Sequence, residues 1–111
     1  MTKFELHQKT QKFHIQVINL CRFFPKEAAG FETAKQVIRS AGSVGPNYRA
    51  TCRAKSKADF IYKIEIVLEE AGESLYWLKV TKEAILSNDM EGIDPLIKEA
   101  NELVCIFNAA D

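Results

Sequence analysis

Residues 56–78 read SKADFIYKIEIVLEEAGESLYWL, and this stretch decides the fold. Apolar side chains recur in it every three or four residues, which is the spacing of a stripe along one face of a helix. The stripe consists of Phe60, Ile64, Leu68 (or Val67), Ala71, Leu75 and Leu78. Ser56 and Asp59 precede it in a capping-box-like start. The pattern predicts a helix that continues to about Leu86, roughly 30 residues and about 45 Å long.

The predicted long helix also carries apolar side chains outside this stripe. They are Ile61, Tyr62, Ile66, Tyr76, Trp77 and Val80. One stripe is enough to pack a helix against its neighbours in a small bundle, so these residues provide more apolar surface than the bundle itself needs. Large amphipathic rings contribute much of the binding energy at subunit contacts. The predicted oligomer interface consists of Ile66, Tyr76, Trp77 and Val80.

Two helices are predicted before the long one. The first covers about 3–23, and its apolar stripe consists of Phe13, Val17, Leu20 and Phe24. The second covers about 32–54, and its stripe consists of Ala34, Val37, Ala41, Val44 and Tyr48. Pro25 closes the first helix because a proline cannot continue the hydrogen-bond ladder. Residues 24–31, with Pro25 at one end and Gly30 at the other, are predicted to form the turn between the two helices.

Glycine and proline interrupt the middle of the second helix, at Gly42, Gly45 and Pro46. Glycine is flexible, and proline removes a donor and clashes with the preceding turn, so a helix bends at such a site. The apolar stripe keeps its phase across the break, which favours a kink over a domain boundary. We assign the kink to Gly45, Pro46 and Asn47, and we expect the Asn47 amide to satisfy backbone groups freed near the proline.

A fourth helix is predicted over about 94–109, after a turn over 87–92. Asp94 is expected to cap this helix, with Pro95 at the first helical position, where its missing donor costs nothing. Its stripe consists of Leu96, Ala100, Leu103 and Phe107. Strand-like alternation is absent from the sequence. Residues 1–111 therefore predict a single all-α domain, an up-down-up-down antiparallel four-helix bundle with a kinked second helix and a long third helix.

The composition is that of a small globular domain with balanced charge. The chain has 111 residues, of which 47% are hydrophobic and 27% charged, and its 15 Lys and Arg balance its 15 Asp and Glu. These values exclude a disordered chain and a uniformly basic protein that wraps nucleic acid. A domain of this size buries roughly two-thirds of its unfolded surface, so self-association would help to stabilise it.

The sequence carries no signal for export or membrane insertion. Its first residues lack the apolar core of a secretory signal, and its longest apolar runs are far shorter than the roughly 20 residues that cross a bilayer. Cys21, Cys52 and Cys105 are odd in number and lie within apolar patterns, so we expect reduced thiols that serve as small core residues. The protein is expected to be soluble and cytoplasmic, without a membrane partner.

The residue combinations that carry chemistry in helical bundles are absent from the sequence. A di-metal site needs a Glu-x-x-His pair, and none is present. His7 and His14 are two helical turns apart, so we interpret them as polar residues beside the core stripe rather than as a weak metal site between subunits. Some bundle ribonucleases use an arginine followed by a histidine, and that order is impossible here because His14 precedes the first arginine, Arg22.

Two further sequence patterns give only weak indications of a binding or catalytic site. Residues 42–46 lack the Gly-Lys-Ser/Thr ending of a phosphate-binding loop. A run of acids on the third helix consists of Glu65, Glu69, Glu70 and Glu73. No histidines surround this run to support proton transfer, which favours a solvated face or ion pairs to a neighbouring subunit. We therefore predict no catalytic residue, metal, cofactor or small-molecule substrate, and the chain is expected not to be an enzyme.

A cluster of cations lies where the second helix meets the third. Residues 48–57, YRATCRAKSK, contain four cations and no acid. The predicted nucleic-acid-binding residues are these four and one cation a few turns earlier, namely Arg49, Arg53, Lys55, Lys57 and Arg39. Lysine and arginine neutralise phosphates and release counterions, which points to RNA or DNA as a partner, with avidity in a cyclic oligomer. The alternative is a solvated turn whose cations complement the dipole of the second helix.

Three segments of the sequence resemble one protein family. They are residues 43–50 (SVGPNYRA), 56–60 (SKADF) and 68–78 (LEEAGESLYWL). A helix interrupted by glycine and proline that leads into a serine-capped long helix is similar to the 23S rRNA intervening-sequence protein family, a group of small bacterial four-helix-bundle proteins. The resemblance extends from Phe13 to Phe107. It implies a homopentamer around a central axis, which would explain the surplus apolar surface of the third helix.

The resemblance also bears on partners and activity. Related accessory proteins of diversity-generating retroelements are basic pentameric barrels that bind nucleic acid and a reverse transcriptase, which implies RNA or DNA binding. This chain departs from them in its neutral charge, and Ala50 stands where the family often has an acid in an Asn-x-x-Glu pattern. No enzymatic activity follows from the family. The hypothesis is a non-enzymatic, homo-oligomeric scaffold or accessory module, and the alternative is a protein-protein adaptor without nucleic-acid binding.

Overall fold

The computed structural model describes residues 1–84 and 91–111, and within these it contains four helices and no strand. We number them in chain order: α1 covers Lys3–Cys21, α2 Ala28–Thr51, α3 Lys57–Glu83 and α4 Ile93–Ala110. The predicted all-α fold of four helices, the third of them the longest, is confirmed. The predicted continuation of the third helix to Leu86 and the turn over 87–90 lie outside the described residues.

Side-chain caps begin α1 and α3. In α1, the Glu5 amide donates to Thr2 Oγ1 at 3.1 Å and the Thr2 amide donates to Glu5 Oε1 at 3.2 Å. The bond from the Thr2 amide also holds the pKa of the Glu5 carboxyl below its usual value. In α3, the Asp59 amide donates to Ser56 Oγ at 3.0 Å, which confirms the predicted cap. These caps satisfy amides that have no acceptor within their own helix.

α2 begins at Ala28, four residues before the predicted start. Ala28 and Ala29 are strong helix formers, so the helix extends back through them. The connection between α1 and α2 is therefore residues 22–27, and Gly30 lies within the first turn of α2. Gly30 is buried, and a Cβ on it would overlap the carbonyl oxygen of Pro25. The glycine is thus required by the close approach of the chain at Pro25 and does not end a turn.

α4 also begins earlier than predicted, and its cap differs. Gly92 is the N-cap, Ile93 is the first helical residue and Pro95 is the third. The prediction that Asp94 caps this helix is wrong, because its carboxylate instead pairs with Lys82 of α3, with Nζ and Oδ1 2.7 Å apart. Pro95 is tolerated because the first amides of a helix have no acceptor within it. The side chain of Ile93 is buried, which favours the earlier start.

Pro46 lies within α2, and the helix is continuous across it. In a regular helix residue 46 would donate to the carbonyl of Gly42, because helical amides bond four residues back. Asn47 Nδ2 donates to the next carbonyl, that of Ser43, at 2.7 Å. The side-chain amide thus bonds to backbone beside the gap that the proline leaves. A bend at Gly45, Pro46 and Asn47 stays a prediction.

Two glycines of α2 allow α1 to approach it closely. A Cβ on Gly42 would lie 2.8 Å from Nε2 of His14, and a Cβ on Gly45 would lie 3.2 Å from Oγ1 of Thr10. Both distances are shorter than ordinary van der Waals contact, so larger residues would crowd these side chains of α1. Residues 42–46 therefore form a packing surface within a helix and not a phosphate-binding loop.

The core is one apolar cluster to which all four helices contribute. Its fully buried side chains include Phe13 of α1, Val37 of α2, Ile64 of α3 and Phe107 of α4. α2 and α3 form the most extensive helix pair, and α1 packs more closely on α2 than on α4. Two buried serines also join α2 to α3, with Oγ of Ser74 3.0 Å from Oγ of Ser40.

The beginnings of α1 and α3 lie at the same end of the molecule as the ends of α2 and α4. One cleft at this end is lined by Leu6 of α1, Thr51 of α2, Phe60 of α3 and Phe107 of α4. This placement is consistent with the predicted up-down-up-down order. Of the helices that the described residues form, none is long and apolar enough to cross a membrane.

Candidate functional site

The cations predicted to bind nucleic acid lie around the turn between α2 and α3. Four of them form what we call the cation group: Arg49, Arg53, Lys55 and Lys57. α2 ends at Thr51, three residues before its predicted end. Turn bonds follow, from the Arg53 amide to the Ala50 carbonyl at 3.0 Å and from the Ala54 amide to the Thr51 carbonyl at 3.1 Å. All four members of the cation group are exposed, so the group lies on the surface at one end of the bundle.

Asp59 is the acid closest to the cation group in the sequence. Its Oδ2 accepts from the Lys55 amide and from Lys63 Nζ, each at 3.0 Å. These two donors hold the pKa of the Asp59 carboxyl below its usual value, so the carboxylate stays ionised at the start of α3. Within residues 1–84 and 91–111, no side chain of the cation group forms an ion pair.

Arg39, the fifth predicted cation, lies apart from this group. About 15 Å of helix separates it from Arg49. Its Nη1 is 3.3 Å from Oε2 of Glu70, and its Nη2 contacts Oε1 of Glu73. These pairs raise the pKa of Arg39 and lower that of Glu73. The Arg39 charge therefore joins α2 to α3 within the chain, an arrangement that the acidic pattern alone does not identify, and its role in nucleic-acid binding stays a prediction.

The outer α3 face is the side of α3 away from the core. Its apolar side chains are Tyr62, Ile66, Tyr76 and Val80, and Glu69 and Glu73 lie in the same phase between the two pairs. Tyr62 and Val80 are 18 residues apart, about five helical turns, so they share a face. Tyr62 is 65% exposed and Tyr76 58%, whereas Ile66 and Val80 are half-buried. Three of the predicted interface residues thus share one face, and their contact with another subunit stays a prediction. The interface prediction omitted Tyr62, although its position outside the core stripe was a signal.

Trp77, the remaining predicted interface residue, is held largely within the chain. Its ring packs against the core cluster, and its Nε1 donates to Oε1 of Glu73 at 3.3 Å. The ring of Tyr76 meets it edge-on, with the ring centroids 5.0 Å apart and the planes at 78°. Trp77 therefore supports Tyr76 from the core side, while Tyr76 presents the more accessible ring.

Further exposed apolar side chains lie outside α3, and the sequence-based prediction of interfaces did not include them. They are Phe4 (69% exposed), Ile15 (50%), Phe23 (50%) and Phe31 (62%). Phe4 and Ile15 of α1 and Phe31 of α2 fall outside the apolar stripe that their helix turns toward the core, and this phase is their signal in the sequence. Phe23 lies in the connection between α1 and α2.

The residues that carry chemistry are dispersed in the described part of the chain. Among residues 1–84 and 91–111, no group of three or more His, Cys, Asp or Glu is placed to hold a metal ion. Burial raises the pKa of Cys21 to about 12, which keeps it a thiol and a poor nucleophile. Cys105 is exposed on α4, out of phase with the buried stripe, so the prediction that all three cysteines are core residues is wrong.

His7 and His14 lie on the side of α1 that meets α2. Both are half-buried. The ring centroid of His7 is 5.0 Å from that of Tyr48, and His14 lies against Gly42. This placement confirms their interpretation as polar residues beside the core.

Known proteins of similar sequence and structure share this architecture. The family model described as 23S rRNA-intervening sequence protein matches residues 2–109. A crystal structure of a protein with unknown function from the S23 ribosomal protein family of Bacteroides thetaiotaomicron is similar, with a TM-score of 0.82 and 31% sequence identity over 94% of this chain and 95% of that chain. No curated protein matches the sequence. The resemblance inferred from residues 43–50, 56–60 and 68–78 is confirmed, and the chain belongs to the 23S rRNA-intervening sequence protein family.

Proposed function

We propose that this chain is a non-enzymatic, cytoplasmic homo-oligomer, a pentamer, which serves as a scaffold or accessory module and binds RNA or DNA through its cation group. The observation that carries the proposal is the outer α3 face, which presents apolar side chains on a helix whose opposite face already fills the core. The structural neighbour is a protein with unknown function, so the proposal rests on the surfaces of this chain.

Exposed tyrosines support self-association. Tyr62 and Tyr76 are 65% and 58% exposed, and aromatic side chains contribute strongly to subunit contacts once they are buried. A chain of 111 residues has a small core. When a second copy covers the outer α3 face, the apolar surface area that is buried increases beyond what one copy can bury. The number five is what the resemblance to a family of homopentamers implies.

The cation group supports binding to nucleic acid. Its members are exposed and follow one another closely around a single turn. Each cation that neutralises a phosphate releases a counterion, so the affinity depends on salt. One such group binds weakly, whereas an oligomer repeats it in every subunit and gains affinity by avidity.

The oligomer is tested by the mass of the particle in solution. Sedimentation or light scattering at micromolar concentration is expected to give about five times the chain mass of 12.6 kDa. Tyr62→Lys combined with Tyr76→Lys is expected to give a monomer, because an unpaired cation is costly to desolvate at a contact. Phe4→Lys, at an exposed apolar residue of α1, is the matched control and is expected to keep the oligomer. A monomeric wild-type chain contradicts the proposal.

Nucleic-acid binding is tested with random single-stranded and duplex DNA and RNA at two salt concentrations. The affinity is expected to fall as salt rises, and Arg49→Ala combined with Arg53→Ala is expected to abolish binding, since each lost contact removes a released counterion. Arg22→Ala combined with Lys26→Ala removes two cations at the other end of the bundle and is the matched control. An equal loss of binding in both double variants contradicts the assignment to the cation group.

The alternative is a protein-protein adaptor without nucleic-acid binding. Exposed apolar residues outside α3, among them Phe23 and Phe31, favour it, because such residues mark contact surfaces when they gather in patches. The balance of 15 cations and 15 acids is compatible with it. A chain that binds neither DNA nor RNA at low salt supports this alternative.

A further inference from the structure

A cleft between α1 and α2 lies beside the cation group. We call it the α1–α2 cleft, and its volume is about 240 Å³. His7, Gln11 and His14 line it from α1, and they share a face of that helix because they are spaced by four and three residues. Arg49 lines it from α2. The cleft therefore brings together residues that do not belong to a common sequence motif.

The wall that α2 contributes to the cleft is poor in side chains. Gly42, Gly45 and Pro46 form it, one turn or more before Arg49. A Cβ on either glycine would crowd the α1 side of the cleft, 2.8 Å from Nε2 of His14 or 3.2 Å from Oγ1 of Thr10. The small residues thus let the His14 ring and the Thr10 side chain approach α2 closely at this wall of the cleft.

The polar groups that line the α1–α2 cleft suit an anion. Imidazole, amide and guanidinium groups all carry N–H donors, and arginine is permanently charged. Among residues 1–84 and 91–111, no carboxylate lines the cleft and Arg49 has no ion-pair partner. Tetrahedral oxyanions accept hydrogen bonds from several directions at once and bind strongly to arginine. A phosphate group matches these donors, and the cleft has room for it.

We propose that the α1–α2 cleft binds a phosphate group, held by Arg49 and by the N–H donors of His7, Gln11 and His14. Free phosphate and the backbone of a nucleic acid both present this oxyanion. Arg49 also belongs to the cation group, so the inference that a nucleic acid supplies the phosphate rests on the proposed function. The inference that the cleft binds phosphate depends only on the residues that line the cleft.

Titration of the full chain with inorganic phosphate, followed by NMR, tests the site. Saturable shifts are expected at the side chains of His7, Gln11 and His14. Arg49→Ala is expected to weaken phosphate binding by about tenfold or more, because it removes a charge-assisted hydrogen bond. Gln11→Ala changes an exposed residue and leaves the fold intact, and it is expected to weaken binding less than Arg49→Ala. Arg22→Ala removes an exposed arginine at the other end of the bundle and is the matched control, with unchanged phosphate affinity.

A second titration with a short single-stranded oligonucleotide distinguishes the sources. Shifts of the same His7 and His14 signals, with displacement of inorganic phosphate, identify the nucleic-acid backbone. Shifts with phosphate alone identify free phosphate as the ligand of the cleft, and nucleic-acid binding by the cation group is then judged separately by the salt-dependent affinity. The site is overturned if phosphate causes no saturable shifts at His7 and His14, or if Arg22→Ala weakens phosphate binding as much as Arg49→Ala.

Discussion

Gly30, in the first turn of α2, has no space for a side chain, because a Cβ would overlap the carbonyl oxygen of Pro25. For Gly72, in the middle of α3, the described residues place no atom within 4 Å of the position that a Cβ would occupy, apart from the adjoining residues and backbone of its own helix. In the sequence, both glycines lie near or within a helical pattern, and both have the same low helix propensity. Their difference depends on a neighbour from another segment, which the sequence pattern does not specify.

Alanine substitutions at these two glycines are expected to have opposite effects on stability. Gly30→Ala is expected to lower the free energy of unfolding by about 1–3 kcal/mol, because the backbone at Pro25 must shift to admit the methyl group. Gly72→Ala is expected to raise it by up to about 1 kcal/mol, because alanine has the higher helix propensity and meets no obstacle. Urea denaturation measures both changes. Equal effects in the two variants would show that the close approach at Pro25 does not constrain residue 30.

The helices themselves were predictable, because each places apolar residues at a helical period and Ser56 caps α3 through its own side chain. Their boundaries were less so where partners outside the helix decide them. Asp94 reads as a cap in the sequence, yet its carboxylate pairs with Lys82 across the α3–α4 contact. Arg39 reads as one more cation, yet two acids of α3 neutralise it. Both depend on which helix faces meet, and helical periodicity does not specify that pairing.

The contact between α2 and α3 is expected to weaken in acid. Arg39 lowers the pKa of Glu73 in the folded chain, so this carboxylate contributes stability above its ordinary pKa of 4.5 and loses it as the pH falls through the lower folded value. Glu5 and Asp59 also have lowered pKa values and act in the same direction. The free energy of unfolding is therefore expected to fall between about pH 5 and pH 3.

Substitution of Arg39 isolates its share of this acid dependence. Arg39→Gln is expected to make the free energy of unfolding fall less steeply as the pH is lowered, and the difference is modest because the ion pairs are partly exposed. Arg22→Gln, at an exposed arginine that bonds to Asn19 within α1, is the control and is expected to keep the wild-type slope. Urea denaturation at a series of pH values measures both. Parallel curves for wild type and Arg39→Gln would show that the pairs with Glu70 and Glu73 add nothing to folding.

At the scale of the whole molecule, assembly and folding are expected to be linked. If copies cover the outer α3 face, dissociation exposes it, and the urea midpoint of the wild-type chain rises with protein concentration. The Tyr62→Lys and Tyr76→Lys double variant is then expected to lose this dependence, which is a second readout for the predicted pentamer. The sequence indicated this surface through its surplus of apolar residues. It did not indicate the α1–α2 cleft, because His14 and Gly42 meet only when two helices pack.

The pairing of Arg39 with Glu70 and Glu73 also affects how the molecule behaves before it touches a partner. Two of the four acids in the run from Glu65 to Glu73 share the single charge of Arg39, so the run stays acidic, while the cation group keeps its charges at one end. A protein of zero net charge can therefore still be oriented by the electric field of a polyanion, so that the end with the α2–α3 turn faces the polyanion. Such alignment during diffusion raises the share of encounters that begin in a productive orientation, and it acts only within about 10 Å at 0.1 M salt.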